Sequence, residues 1–504
     1  MKIRLAVGLL ALCATPVLAA DTVGISPEMW ARVRAAQPTT VDLKPTPSPQ
    51  PPAKLSLREC LGLTFRHNAG FRENLQQLIT ARRGLWVADQ RAFLSASALG
   101  QREKAAGAEG APEVSLSSDA TARYEATTGG SLTAGVGTGT QETFADLASQ
   151  HPSVTLSYDQ PLLRGFGLAS STYERIRSAR AALATQELSF YDSHQQLAQQ
   201  VIGDYFSVLL AQGEVEIAQR SIDRAKQLHD INYAKFSGEG LKKPDEVWVS
   251  QVAEIDVDQA RLSWERAKQD LISRQQSHRD ALDGLLLDMG YVPTGTPELT
   301  TTIAYHPQEY DGAKLLPIAL ASSTQLGRLE LSRQDALAAL RIARSRRLPD
   351  VIASAGVTDL GETLNGVPVS SGWFTGVRMD VPLFDRARSE SAAGAERSLS
   401  VLEQRIVAAR DQVSQEVQRQ IRAATSSRAR IAIGEQSVML ARKNREAAQG
   451  MYDEGLSDYL RVLDADDRLV EAERSLLQEQ VQYFLTTVRV RRALSEDVTE
   501  GLPE

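Results

Sequence analysis

Two periods of apolar spacing alternate along this chain. Leu57, Leu61 and Phe65 keep helical spacing, as do Leu75, Leu78, Leu85 and Ala88, so the stretch from Leu55 to about Leu94 reads as two helices or one bent helix. Over residues 95–160 Gly, Thr, Ser and Ala dominate and the period drops to two: Val154, Leu156 and Tyr158 interleave with Thr155, Ser157 and Asp159. A strand with one apolar and one polar face suits a wall that has lipid on one side and water on the other. No proline interrupts Leu162 to Lys243, where Leu183, Phe190 and Leu197 recur every seven residues, followed by Val201, Val208, Val215 and Ile222. That repeat marks a coiled-coil seam. If roughly 65 of these residues are helical, a rise of about 1.5 Å per residue gives a rod on the order of 100 Å long. Gly238, Gly240 and Pro244 then reverse the chain, and Trp248, Ile255 and Leu262 begin a returning helix.

After an irregular bridge at residues 290–312, carrying Pro293, Gly295, Pro297 and Pro307, the theme begins again. A helical pattern from about Leu315 to Arg346 leads into Val351, Ala353, Ala355 and Val357, which alternate as a strand does, and Trp373, Thr375, Val377, Met379 and Val381 form its partner. Leu399, Ile406 and Val413 restore the seven-residue spacing, the chain turns at Gly455, and Leu463, Val470, Leu477 and Phe484 carry the spacing back. Residues repeat as well as pattern: Asp159-Gln160-Pro161-Leu162 matches Asp380-Val381-Pro382-Leu383, and Glu239-Gly240-Leu241 matches Glu454-Gly455-Leu456. The expected organisation is a signal peptide at 1–20, a Pro-rich arm at 21–54 and a first repeat at 55–290, with strands about 95–160 and long helices about 168–287. A linker at 291–314 leads to a second repeat at 315–494, with strands about 350–381 and long helices about 386–494, and a tail at 495–504.

The signal peptide rests on Lys2 and Arg4, the apolar run Leu5 to Leu12, and small residues ending at Ala19-Ala20. Leu12 stands where a small residue precedes a lipidated cysteine, which disfavours a lipid on Cys13. Cleavage leaves Cys60 alone, so no disulfide forms within one chain. Pro45, Pro47, Pro49, Pro51 and Pro52 favour extended backbone without a core, a tether or arm. No later stretch has the run of about twenty apolar residues that a spanning helix needs, and the mean hydropathy of -0.26 agrees. A membrane crossing would therefore take the form of a closed β-barrel. The net charge of -7 comes from 63 acidic and 56 basic residues interspersed along the helices, which reads as solvated helix faces and argues against nucleic acid as a partner.

Enzyme signatures are missing. Gly135-Val136-Gly137-Thr138-Gly139 is no phosphate loop, because neither Lys-Ser/Thr nor a helix follows, and His67, His194 and His229 show no paired metal spacing. No catalytic residue, metal site or cofactor is expected. Heptads alone are far more often plain coiled-coil core than a tunnel wall, which favours a periplasmic coiled-coil scaffold or adaptor without a pore. The signal peptide, the duplication and the flanking strands shift the balance towards a tunnel.

Three motifs decide between these readings: the opening Leu55-Ser56-Leu57-Arg58-Glu59-Cys60-Leu61, the strand exit Gln160-Pro161-Leu162-Leu163-Arg164-Gly165-Phe166-Gly167, and the turn Tyr452-Asp453-Glu454-Gly455-Leu456 followed by Val462-Leu463-Asp464-Ala465. In this order, on a duplicated plan, they make the chain resemble the TolC-type outer-membrane efflux family over nearly everything after Lys54. The resemblance implies a mainly α fold with transmembrane β. Each chain of a homotrimer would give four strands to one shared barrel, while duplicated long helical hairpins build an α-helical barrel through the periplasm. It further implies a passive outer-membrane channel of a tripartite efflux or type I secretion system, which meets a periplasmic membrane-fusion adaptor at its tip and receives cargo from an inner-membrane pump. Drugs, metal ions and secreted proteins all remain open as cargo. The chain departs from the family between Gln101 and Ser153, where candidate strands at Val114 to Tyr124 and Ser131 to Gly137 flank Thr127-Thr128-Gly129-Gly130; this insertion either enlarges the barrel or forms a loop.

At the tip, the resemblance implies acidic rings that narrow the entrance. Asp464 matches one, Arg461 stands where the other Asp is expected, and Glu246 lies near a further acidic position. Three copies of a carboxylate at one mouth repel one another and hold counter-ions, and a nearby Arg relieves that strain. The expected periplasmic gate is therefore Asp464, Arg461 and Glu246, although Glu246, just after Pro244, equally suits a helix N-terminus. Gly240, Leu241, Gly455 and Leu456 are the expected adaptor contacts, with the glycines also serving the turns.

Overall fold

A computed structural model describes residues 27–37, 52–103, 113–142, 151–237, 253–293, 295–301, 305, 307–360, 372–381, 384–454 and 456–499. In chain order they form α1 (Pro27–Ala35), β1 (Lys54–Leu55), α2 (Leu57–His67), α3 (Ala69–Ala88), β2 (Ala92–Glu103), β3 (Glu113–Glu125), β4 (Ser131–Glu142), β5 (His151–Pro161), α4 (Ser171–Ser237) and α5 (Glu254–Asp288). The chain continues through β6 (Glu298–Leu299), α6 (Gly312–Ser322), α7 (Thr324–Ser345), β7 (Asp350–Leu360), β8 (Gly372–Asp380), α8 (Arg386–Asp453) and α9 (Tyr459–Ala493). The order of helix pair, strands, long helix and returning helix occurs twice with matching lengths. Helices α2 and α6 have 11 residues each, α4 has 67 against 68 in α8, and α5 and α9 have 35 each. At about 1.5 Å per residue α4 is a rod on the order of 100 Å long. Among the described residues no helix is long and apolar enough to cross a membrane.

The starts of α2, α6 and α9 are set by acceptor side chains, because the first N–H groups of a helix lack partners. Ser56 and Glu59 form a reciprocal capping box ahead of α2, with Ser56 N–H donating to Glu59 at 3.0 Å and Glu59 N–H donating to Ser56 Oγ at 3.3 Å. Asp311 and Asp458 accept backbone N–H groups from Ala313 and Arg461 at the starts of α6 and α9.

The chain divides into two compact units. One contains residues 77–188 and 325–409 and is built on a six-stranded antiparallel sheet in the order β2-β3-β4-β5-β7-β8. Among the described residues the sheet therefore has six strands where the resemblance implies four, and the insertion between Gln101 and Ser153, which the sequence allows as added strands or a loop, contributes strands. The added pair is the β3–β4 hairpin, where Ala120, Ala122 and Tyr124 alternate with polar neighbours and pair in register with Val136, Ala134 and Leu132. Its turn is closed by the Ala126 N–H donating to the Gly130 carbonyl at 2.7 Å. Gly129 takes φ 95° there, and a Cβ at that position would sit 2.4 Å from the Gly165 carbonyl oxygen, so only glycine fits.

The other unit contains residues 25–76, 189–324 and 410–504. Its largest core gathers Leu55, Leu57, Cys60, Val201, Tyr205, Leu285 and Val488. Tyr205 serves as a pin: its hydroxyl donates to the Leu55 carbonyl at 3.1 Å and accepts the Thr301 N–H at 3.2 Å, beside the parallel pairing of β1 with β6. Burial pushes the Cys60 thiol up to about 12, so it is inert. Residues 27–35 depart from the extended arm expected over 21–54. Pro27 suits a first helical turn, and Met29, Trp30 and Val33 are buried on one side of α1, while the clustered prolines come later in the chain.

Candidate functional site

The six-stranded sheet has two chemically distinct faces, because side chains alternate along each strand and paired residues share a face. Following the register across all six strands, one row reads Leu94, Ala122, Ala134, Leu156, Val357 and Trp373. The adjacent row reads Ser95, Thr121, Gly135, Thr155, Thr358 and Gly372. The apolar row is exposed, with Leu94 at 83% and Trp373 at 78%, and Val136, Val154, Val377 and Met379 extend the same face. A contiguous exposed apolar face of this extent has no use in water and fits lipid. On the polar face Ser95 and Thr121 share a hydrogen bond of 2.6 Å and Ser354 donates to Asp159 at 2.6 Å. A pore-free coiled-coil scaffold would have no call for such a sheet.

In the other unit, four long helices are stitched by ionised side chains. Asp466 on α9 is 6% exposed and lies 2.6 Å from Arg224 of α4 and 3.8 Å from Arg445 of α8. Seven residues further on, Glu473 meets Arg220 of α4 at 3.8 Å and Arg442 of α8 at 3.5 Å. Arg274 of α5 reaches Glu214 of α4 at 2.9 Å, and Arg474 of α9 pairs with Asp270 of α5. Burial raises the pKa of Asp466, while Arg224 and Arg445 pull it the other way. Nearer the helix ends a small apolar cluster of Leu228, Ala260, Ala448, Tyr452, Tyr459 and Val462 closes the packing. There the Tyr452 hydroxyl donates to Asn232, and the Lys235 ammonium lies 4.3 Å over the Tyr452 ring.

Of the gate residues expected from the sequence, Asp464 and Arg461 are exposed on α9. They do not pair. Asp464 is held by Arg468, one turn on, at 3.0 Å, and Arg461 forms no ion pair among the described residues. Leu456 is 73% exposed, with its backbone N–H donated to the Met451 carbonyl at 2.8 Å. Glu246, Gly240, Leu241 and Gly455 lie outside the described residues. The motifs and the resemblance do not single out the Asp466 cluster, although the sequence carries a signal for it. Asp466 stands four residues after buried Val462 and three before buried Leu469, a spacing that turns a carboxylate into the seam.

Residues 315–496 match the family described as outer membrane efflux protein. Over 316 residues the chain is 27% identical to the cobalt-zinc-cadmium resistance protein CzcC of Cupriavidus metallidurans, spanning 61% of this chain and 69% of that protein. Over 102 residues it is 37% identical to the nickel and cobalt resistance protein CnrC of the same organism, spanning 20% of this chain and 22% of that protein. Among solved structures, the outer membrane protein VceC of Vibrio cholerae aligns with a TM-score of 0.64 at 18% identity, over 88% of this chain and 96% of that one. CusC aligns with a TM-score of 0.65 at 16% identity, over 91% of this chain and 99% of that one. At such identity the likeness is one of fold.

Removing a carboxylate that neutralises two arginines leaves their charge uncompensated at a buried position. Asp466→Ala is expected to lower the local opening free energy of α9, read by amide hydrogen exchange over residues 462–469, by about 3 kcal/mol. Combining it with Arg224→Met and Arg445→Met restores most of the protection. Unchanged exchange in Asp466→Ala contradicts the pairing.

Proposed function

We propose, on the premise that this chain is a member of the outer membrane efflux protein family, that it is the passive exit duct of a tripartite efflux system. It sits in the cell outer membrane and extends into the periplasm, and it acts as one component of a larger efflux assembly. The observation that carries the reading is the sheet with an exposed apolar row beside a polar one, on a chain whose remaining elements are long paired helices. Three copies pool their sheets into one barrel, because one chain's six strands leave two open edges that lipid does not tolerate. A periplasmic membrane-fusion adaptor docks on Gly240, Leu241, Gly455 and Leu456. An inner-membrane pump supplies cargo and energy, and this chain performs no chemistry.

The mouth of the duct is controlled by Asp464, Arg461 and Glu246. Copies of Asp464 brought close around an axis repel one another and attract cations, while Arg461, three residues earlier on the same helix, offsets part of that field. In planar bilayers Asp464→Ala is expected to weaken cation preference, and Arg461→Ala to strengthen it and raise single-channel conductance severalfold. Wild-type conductance and cation preference in both variants would end the gate proposal.

Divalent transition-metal cations are the cargo class we favour, supported by the similarity to CzcC and CnrC, both metal-resistance proteins. A strain lacking the chain should tolerate several-fold less cobalt, zinc, cadmium or nickel, and plasmid-borne wild type should restore tolerance. Metal tolerance that is the same with and without the chain rules this cargo out.

A further inference from the structure

The β3–β4 hairpin lies inside the sheet, between β2 and β5, and three observations tie it to the wall. It is paired along its length on both flanks, from Ala92↔Tyr124 to Glu103↔Glu113 on one side and from Ser131↔Asp159 to Gly139↔His151 on the other. Its faces continue those of its neighbours, because Ala122 and Ala134 lie in the apolar row that runs from Leu94 to Trp373, and Thr121 and Gly135 lie in the polar row. Its turn is fastened to the chain that leaves β5. Ser170 Oγ donates to the Thr127 carbonyl at 2.6 Å, the Gly167 N–H donates to the Thr128 carbonyl at 3.0 Å, and Arg175 pairs with Glu125 at 3.3 Å. With 13 and 12 residues, β3 and β4 are long enough to span the hydrocarbon layer, which takes about 9–11 residues in a tilted strand.

We infer that this hairpin is a membrane-spanning part of the barrel, so that three copies of a six-stranded sheet close eighteen strands where three four-stranded sheets would close twelve. The inference rests on the reading of the chain as a trimeric outer-membrane duct. Strand direction permits it: an even number of antiparallel strands leaves β2 and β8 running in opposite senses, so the β8 edge of one copy meets the β2 edge of the next as an antiparallel pair. A hairpin is the smallest insertion that preserves this match. Barrel diameter grows roughly in proportion to strand number, so the lumen is about half as wide again as that of a twelve-stranded duct. Small residues on the hairpin's polar face, such as Thr121, Thr133 and Gly135, keep that width open.

Single cysteines at Thr121, Ala122, Thr133 and Ala134, in a Cys60→Ser background, test the inference in the full-length protein reconstituted into phospholipid vesicles. A membrane-impermeant sulfonated maleimide is expected to label positions 121 and 133 about ten-fold faster than 122 and 134, since lumen and lipid positions alternate. Electron microscopy of the unmodified, detergent-solubilised protein should show eighteen strands in cross-section. Equal labelling at all four positions, or twelve strands in a membrane-embedded trimer, overturns the inference while leaving the duct intact. A monomer with no barrel would instead sink the reading on which it rests.

Discussion

A peptide N–H or C=O that enters lipid must find a partner within the protein, because hydrocarbon offers none. In this chain β3, β4, β5 and β7 are paired on both sides, while β2 and β8 have a sheet neighbour on one side only. Burying the apolar row from Leu94 to Trp373 in a membrane carries those two edges in with it. In the proposed assembly further copies of the same chain supply the matching edges and close a cylinder, polar on the inside, where Ser95, Thr121 and Thr155 would lie. The duct is in this sense a consequence of backbone hydrogen bonding, and the side chains decide which face meets lipid.

The long helices meet a different demand. Rods of 67 and 68 residues with a seven-residue seam have many near-equivalent registers, and apolar residues alone discriminate poorly among them. Here the carboxylates of Asp466 and Glu473, one heptad apart, each meet one arginine from α4 and one from α8. Sliding α9 by one heptad would leave a buried charge without its counter-ions. Buried ion pairs return little net stability against their desolvation cost, so their contribution here is to alignment more than to total stability.

Much of this was legible in the amino-acid sequence because the two periods it carries are physical. Leu183 through Ile222 mark a long seam, Val154 through Tyr158 mark a two-faced strand, and the matching motifs Glu239-Gly240-Leu241 and Glu454-Gly455-Leu456 mark a duplication. The place of the 113–142 segment was less legible. Its strand pattern is written in alanines and glycines, too small to distinguish a lipid-facing strand from a loop until register aligns Ala122 with Leu94 and Ala134 with Leu156. Asp466 does not stand out in the sequence because charge normally marks a solvated face, and only its three-dimensional partners, Arg224 and Arg445, make a carboxylate welcome in the seam. The resemblance puts Arg461 at a ring position from which it relieves the charge of Asp464, yet within the chain it is Arg468, a full turn after Asp464, that reaches the carboxylate.

Edge closure can be measured directly by amide hydrogen exchange on the detergent-solubilised protein, resolved to β2, β4 and β8. If neighbouring copies complete the cylinder, the outward-pointing amides of β2 and β8 exchange as slowly as those of β4, which is paired on both sides within its own chain. Fast exchange confined to β2 and β8, with β4 protected, would mean that the edges are open and would contradict the account.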